Sequence, residues 1–167
     1  GDAKQEDLPP QPLSPYALQK YAGEQYGLLA AKQHGIPFVS TRFFNVFGPR
    51  QAFDSPYAGV IARFCTAMLQ GKAPVIFGDG QQSRDFTYVD DCIDGIVAGI
   101  ERLAAGTVTN ETFNLAYGEG NTLVRAAELI AGELGVDPEI RHEPSLLGEV
   151  THYVADIRKA REFLGWT

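Results

Sequence analysis

Tyr16 and Lys20 stand four residues apart in a stretch, Ser14 to His34, that reads as helix, so their side chains share one face. A phenol beside an ammonium is an acid/base device: the cation favours phenolate, and phenolate takes a proton from an alcohol. Such pairs also arise by chance on helices, and spacing alone does not separate the two origins. Arg84, inside Gln81-Gln82-Ser83-Arg84-Asp85-Phe86, carries the planar fork best matched to a phosphate, with a surface ion pair to Asp85 as the plainer alternative. Asn45 closes an apolar, strand-like run. There it either meets a ligand at the carboxyl edge of a sheet or turns the chain. Asp90 and Asp91 precede a helical pattern and read as a cap that favours its positive end rather than as a metal site. His34, His142 and His152 share no ligand spacing, so no metal is assigned.

These side chains need elements to hold them. Ser14 as cap, Pro15 in the first turn and Gly35 as stop predict a helix over Tyr16–His34. Ile36 to Phe44 is β-branched and aromatic, of strand length, with Pro37 tolerable near its start. Asn45 to Ser55 has no period and reads as a loop. Tyr57 to Gln70 has a helical apolar face, and Pro74–Phe77 is a short strand entering the turn Gly78-Asp79-Gly80. Then come an extended piece at Phe86–Val89, a helix from about Asp91 to Leu103 and a strand at Thr112–Leu115. Thr122 caps a further helix that Gly135 ends, Glu139–His142 is extended, and Asp156 caps a last helix containing Ala160, Phe163 and Leu164. Alternating strands and helices of these lengths indicate an α/β fold with at least partly parallel pairing.

Composition narrows the function classes. The 167 residues amount to about one domain, 44% hydrophobic and 21% charged, with a formal charge of -7. No basic run offers a nucleic-acid or anionic-membrane surface. No apolar stretch approaches the roughly 20 residues of a membrane span. Cys65 and Cys92 form no CxxC, which argues against a disulfide scaffold or zinc site and for a reducing, cytoplasmic setting. Residue 1 is Gly and the only Met is Met68, the pattern of a processed chain or a piece of a longer one. Residues 1–13 are polar, then Pro-rich and extended. Neither a G-x-G-x-x-G, a P-loop nor a G-x-S-x-G occurs.

Individually weak, these signals stand in a specific order. SPYALQK, FFNVFGPRQ, VIARF, GDGQQSRDFTYVDD, FNLAYGEGNT and VADIRKAREFLGW together resemble the extended short-chain dehydrogenase/reductase family, and within it the NAD-dependent nucleotide-sugar 4-epimerases. The resemblance implies the carboxyl-terminal part of a Rossmann-type parallel sheet plus a small α/β substrate-binding region. Residues 1–13 would be a lead-in and 14–55 the end of the cofactor domain. Residues 56–167 would be mostly the substrate region, with one returning strand near 112–115. It implies that Tyr16 is the acid/base at C4 of a UDP-sugar and that Lys20 holds the nicotinamide ribose and biases the phenol. Phe43 would lie beside the nicotinamide, Asn45 and Arg84 at the diphosphate, and Ala58, Gly59 and Val60 along the nucleotide. A nucleotide-sugar 4,6-dehydratase or decarboxylase of the same family is the sister reading, and a non-catalytic nucleotide- or partner-binding module the reading from another class.

Two departures carry consequences. The family's glycine-rich phosphate loop, acidic ribose ligand and sugar-binding Ser or Thr precede the matching stretch and are not in this sequence. The chain is therefore expected to be a carboxyl-terminal half, inactive alone and weak toward NAD. The family's Arg-Pro-Gly-Asp before the last helix is here Leu146-Leu147-Gly148-Glu149, which keeps an acid, Glu149, among the substrate-binding residues. It replaces a diphosphate-binding Arg by Leu146, so phosphate recognition is expected to be weaker unless Arg141 or another cation substitutes. The first helix and the edge of the Ile36–Phe44 strand, with Leu18, Leu28 and Leu29 exposed, are expected to make the chain a homo-oligomer.

Overall fold

Ser14 opens the first helix as its sequence predicts. Its hydroxyl accepts the Ala17 N–H at 3.1 Å, Pro15 takes the first position, and Gly35 closes the helix in the left-handed region at φ 66°. This α1, Pro15–His34, begins the ordered elements of a computed structural model that describes residues 3–54, 58–137, 139–145 and 151–166. Then follow β1 (Val39–Phe43), β2 (Asn45–Phe47), α2 (Val60–Leu69), β3 (Val75–Phe77), β4 (Ser83–Tyr88), α3 (Val89–Ala104), β5 (Glu111–Leu115), β6 (Gly120–Thr122), α4 (Leu123–Leu134), β7 (Arg141–Glu143), β8 (His152–Tyr153) and α5 (Arg158–Leu164). No helix among the described residues is long and apolar enough to cross a membrane.

Among the described residues, three small sheets organise the chain. β1 and β5 pair in parallel, Phe43 opposite Leu115, and no strand among the described residues ladders onto the other edge of β1. β4 is the shared strand of the second sheet. It pairs in parallel with β2 and β8 and antiparallel with β6. β3 and β7 form a parallel pair. Two apolar clusters fill the space between these sheets and the helices. The first joins Phe113, Leu115, Ala155, Ala160, Leu164 and Trp166; the second joins Phe64, Met68, Ile76, Leu123, Ala127 and Ala131, with Phe86 of β4 packed against it. The single tryptophan ties the chain's end back into the first cluster through Nε1–H to the Asp91 carbonyl at 2.9 Å.

Several local expectations are corrected. Asn45 does not begin a loop: Asn45–Phe47 is a strand, because Phe86–Tyr88 offers it a parallel partner that a single-strand reading cannot see. The first strand starts at Val39 rather than Ile36. α2 starts at Val60, so Ala58 and Gly59 lie ahead of the helix, while Tyr57 is outside the described residues. Asp90 and Asp91 are not caps. Tyr88 precedes α3 without a side-chain bond, and the two aspartates fall in the first turn, where they still favour the positive helix end. The last helix is capped from further out, Asp156 Oδ1 accepting the Arg158 N–H at 3.0 Å.

Candidate active site

The placement of Tyr16 and Lys20 follows from what α1 does lower down. Glu24 meets Arg42 of β1 in a two-pronged ion pair, Arg42 Nε to Glu24 Oε2 at 2.8 Å and the second guanidinium nitrogen to Oε1 at 2.7 Å. Three residues on, Gly27 lies so close to the Phe38 ring that a Cβ there would overlap it. Moving from Glu24 to Gly27 thus moves backwards from Arg42 to Phe38, so helix and strand run antiparallel. Tyr16, eight residues before Glu24, is about 12 Å further along the helix axis at about 1.5 Å per residue. Asn45, three residues past Arg42, is about 10 Å further along the strand direction at about 3.3 Å per residue. Tyr16 and Lys20 are therefore level with the carboxyl end of β1, where Phe43 is exposed.

They also face the right way. Residues 16, 20, 24, 27 and 31 fall on one side of a helix at about 100° per residue, and this is the side that meets the sheet. Glu24 and Gly27 touch β1 or its lead-in, and Ala31 is the helix's buried residue. Lys20 Nζ lies 5.3 Å from the Tyr16 ring centroid, so the ammonium sits over the phenol's own ring. Tyr16 is 58% exposed although it lies on the sheet-facing side, because it overhangs the strand end.

The Glu24–Arg42 pair fixes that placement. Arg42 also donates to the Glu6 carbonyl at 2.9 Å, and Ser40 Oγ donates to Glu24 at 3.4 Å. The guanidinium beside it holds the Glu24 carboxyl below its usual range against the opposing cost of burial. Glu6 Oε1 in turn accepts the Asn114 N–H at 2.8 Å, and the Asn114 side chain donates to the carbonyls of Lys4 and Asp156. Residues 4–6 are thereby laced between α1, β1, β5 and the approach to α5.

Asn45 and Arg84 come together on the second sheet. Asn45 sits opposite Phe86, and its Nδ2 donates to the Asp85 carbonyl at 3.3 Å, which orients the amide. Arg84 lies on β4 between Asn121 of β6 and Tyr153 of β8, with one guanidinium N–H on the Ser83 carbonyl at 3.0 Å. An ion pair between Arg84 and Asp85 is not what the strand builds, since the two side chains alternate across it. Ser83, Asp85 and Thr87 form the buried face, while Arg84 and Phe86 are half-buried on the other. Ala58 and Gly59 run into α2 beside Gln51, and Val60 packs on the second apolar cluster. Glu149, with Leu146 to Gly148, lies outside the described residues.

Asp85, which the sequence offers only as a surface partner of Arg84, is 0% exposed. Its carboxylate accepts the N–H groups of Tyr117 at 2.9 Å, Gly118 at 3.0 Å and Ala155 at 3.0 Å. Burial pushes its pKa up more than these bonds pull it down. The clue was the period-2 spacing of Ser83, Asp85 and Thr87, masked because Phe86 invites assignment to the inner face. Burial raises both cysteine thiols, Cys92 to about 11. Groups of three or more His, Cys, Asp or Glu able to hold a metal are absent among the described residues.

What the site can hold follows from its donor set. An exposed aromatic at the end of a parallel strand, with a phenol and an ammonium level with it, fits the nicotinamide and ribose end of a dinucleotide. An amide and a guanidinium on the neighbouring sheet fit a diphosphate. Comparison with known proteins finds nucleotide-sugar epimerases. A UDP-glucose 4-epimerase of Mycolicibacterium smegmatis is 36% identical over 163 residues, 96% of this chain and 50% of that protein. The crystal structure of a Thermotoga maritima UDP-glucose 4-epimerase with UDP-glucose superposes with a TM-score of 0.87 at 38% identity, covering 94% of this chain and 49% of that one. A Bacillus cereus UDP-glucuronic acid 4-epimerase in complex with UDP-glucuronic acid and NAD gives 0.90 at 36% identity, covering 100% and 51%. The chain thus spans about half the length of these relatives, and its α/β architecture with parallel strands is that part of their Rossmann-like fold. The profile of the NAD dependent epimerase/dehydratase family matches residues 1–116, a run that contains Tyr16, Lys20, Phe43, Asn45 and Arg84, and the chain belongs to that family.

Proposed function

We propose that this chain is the proton-transfer and substrate-holding portion of an enzyme that inverts C4 of a UDP-sugar. The observation that carries the reading is the overhang of Tyr16 and Lys20 at the carboxyl end of β1, on the sheet-facing side of α1 and level with Phe43 and Asn45. When bound, NAD supplies the two-electron acceptor and donor for the sugar carbon. Tyr16 takes the C4 hydroxyl proton as that carbon is oxidised and returns it when the carbon is reduced from the other face. Lys20 would bind the nicotinamide ribose, while Phe43 would flank the nicotinamide. Asn45 and Arg84 hold the diphosphate, and 58–60 lie along the nucleotide. Identities of 36–38% to two solved epimerases over 94–100% of this chain support inversion over dehydration. Decarboxylation is the second reading, since a UDP-N-acetyl-alpha-D-glucosaminuronate decarboxylase of Bacillus cytotoxicus is 44% identical over 57% of the chain.

Calorimetric titration of the chain with UDP and with NAD tests the site. UDP is expected to bind through Asn45 and Arg84, more weakly than where an arginine stands at position 146. NAD is expected to bind weaker than micromolar without turnover, because no glycine-rich fingerprint within the 167 residues offers N–H groups to its pyrophosphate. Failure of UDP to bind at millimolar concentration overturns the substrate assignment, and micromolar NAD affinity overturns the expectation that this chain alone holds NAD weakly.

The same reading includes self-association. Leu18, Tyr26 and Leu29 are exposed at 56%, 74% and 50% on the side of α1 away from the sheet, and one edge of β1 has no laddered strand among the described residues. Light scattering is expected to return a multiple of 18.2 kDa. A monodisperse monomer at high concentration sinks the idea.

A further inference from the structure

Two groups assigned above to the diphosphate meet at one residue. Asn45 is oriented by the carbonyl of Asp85, and Arg84 is its chain neighbour on β4. β4 has strands on both edges, yet its depth relative to the β1–β5 sheet is set from the side chains. Asp85 binds Tyr117 and Gly118, just past the end of β5, and Ala155, just past β8. Thr87 Oγ1 accepts the Tyr117 N–H as well, at 3.1 Å. Only glycine fits this seat at 118, because it has φ 87° and a Cβ there would come within 2.8 Å of Ile157. The turn after β5 is therefore pinned to the inner face of β4, while Arg84 projects from the opposite face.

We infer that Asp85 and Thr87 form a positioning clamp that sets Arg84 and Asn45 against the β1–β5 sheet, and that nucleotide-diphosphate affinity depends on it. This rests on the assignment of Arg84 and Asn45 to the diphosphate. Asparagine at 85 keeps one acceptor oxygen but turns an NH2 toward backbone N–H groups, so part of the clamp opens. The shift reaches ligand mainly through Arg84, the chain neighbour of Asp85, so it is specific to phosphate and is largely lost when Arg84 is already gone.

The test measures UDP and uridine binding to the full chain by calorimetry and by ligand-observed NMR. Asp85→Asn is expected to weaken UDP about tenfold, leave uridine unchanged, and add less than twofold in an Arg84→Ala background. Equal weakening of UDP and uridine, or the whole tenfold loss persisting without Arg84, overturns the clamp and leaves Asp85 a purely structural residue. If Asp85→Asn does not fold, Thr87→Val carries the test, with an expected two- to threefold loss for UDP alone; unchanged UDP affinity in that folded variant overturns the inference. Absence of UDP binding in the unaltered chain overturns the diphosphate assignment itself. Binding that is normal in the unaltered chain and in both variants overturns only the clamp.

Discussion

Tyr16→Phe, made in an active enzyme that carries this chain, is expected to lower kcat by about 10²–10⁴-fold, the range typical of a general acid–base group. The ring stays, so contacts made by its faces stay, and Lys20 keeps the aromatic surface beneath its ammonium. Only the hydroxyl that exchanges a proton with the sugar is lost. UDP-sugar affinity is therefore expected to change little, since Asn45 and Arg84 lie on another sheet. Steady-state rates paired with a direct binding measurement separate the two effects. A turnover number close to that of the unaltered enzyme removes Tyr16 from the mechanism. A large loss of affinity with kcat intact makes it a binding residue instead.

Much of the frame was legible because it is written in short-range chemistry. Ser14, Pro15 and Gly35 bound α1 by capping rules that need no tertiary partner. Thr122 and Gly135 do the same for α4. The stripe from Tyr16 to Ala31 was legible only in part. Tyr16 and Lys20 are one helical step apart, but that Glu24 and Gly27 extend their face onto a sheet depends on Arg42 and Phe38, well beyond any helical spacing. β2 was hidden for the same reason: three residues become a strand only when Phe86–Tyr88 lies beside them. Asp85 was hidden for a different one. A carboxylate next to an arginine reads as a surface pair, and nothing local announces that three backbone N–H groups from Tyr117, Gly118 and Ala155 will converge on it. Asn114 is similar, serving Lys4 and Asp156 from opposite ends of the chain. The polar residues that assemble the site are those whose partners are most distant in sequence.

The largest stability effects are expected at the centres of the two apolar clusters, and they bear on whether the sheets act as one body. Phe113 is fully buried on β5, opposite Thr41, and packs in the first cluster with Lys159 Nζ 5.1 Å from its ring centroid. Phe64 of α2 is the matching residue of the second cluster. Truncating a buried phenylalanine costs about 3–5 kcal/mol, through lost burial and an unfilled cavity. That is a large share of the roughly 5–15 kcal/mol by which a domain is stable. Phe113→Ala and Phe64→Ala are each expected to lower the urea midpoint strongly. Trp166 belongs to the first cluster, so its fluorescence reports that half of the molecule, whereas far-UV circular dichroism reports all of it. β4 contributes Phe86 to the second cluster and, through Asp85, holds residues bordering the first, so both probes are expected to show one coincident transition. Phe64→Ala should then move the Trp166 midpoint as far as the dichroism midpoint. If the Trp166 transition stays in place while the dichroism shifts, the clusters unfold separately and β4 does not couple them.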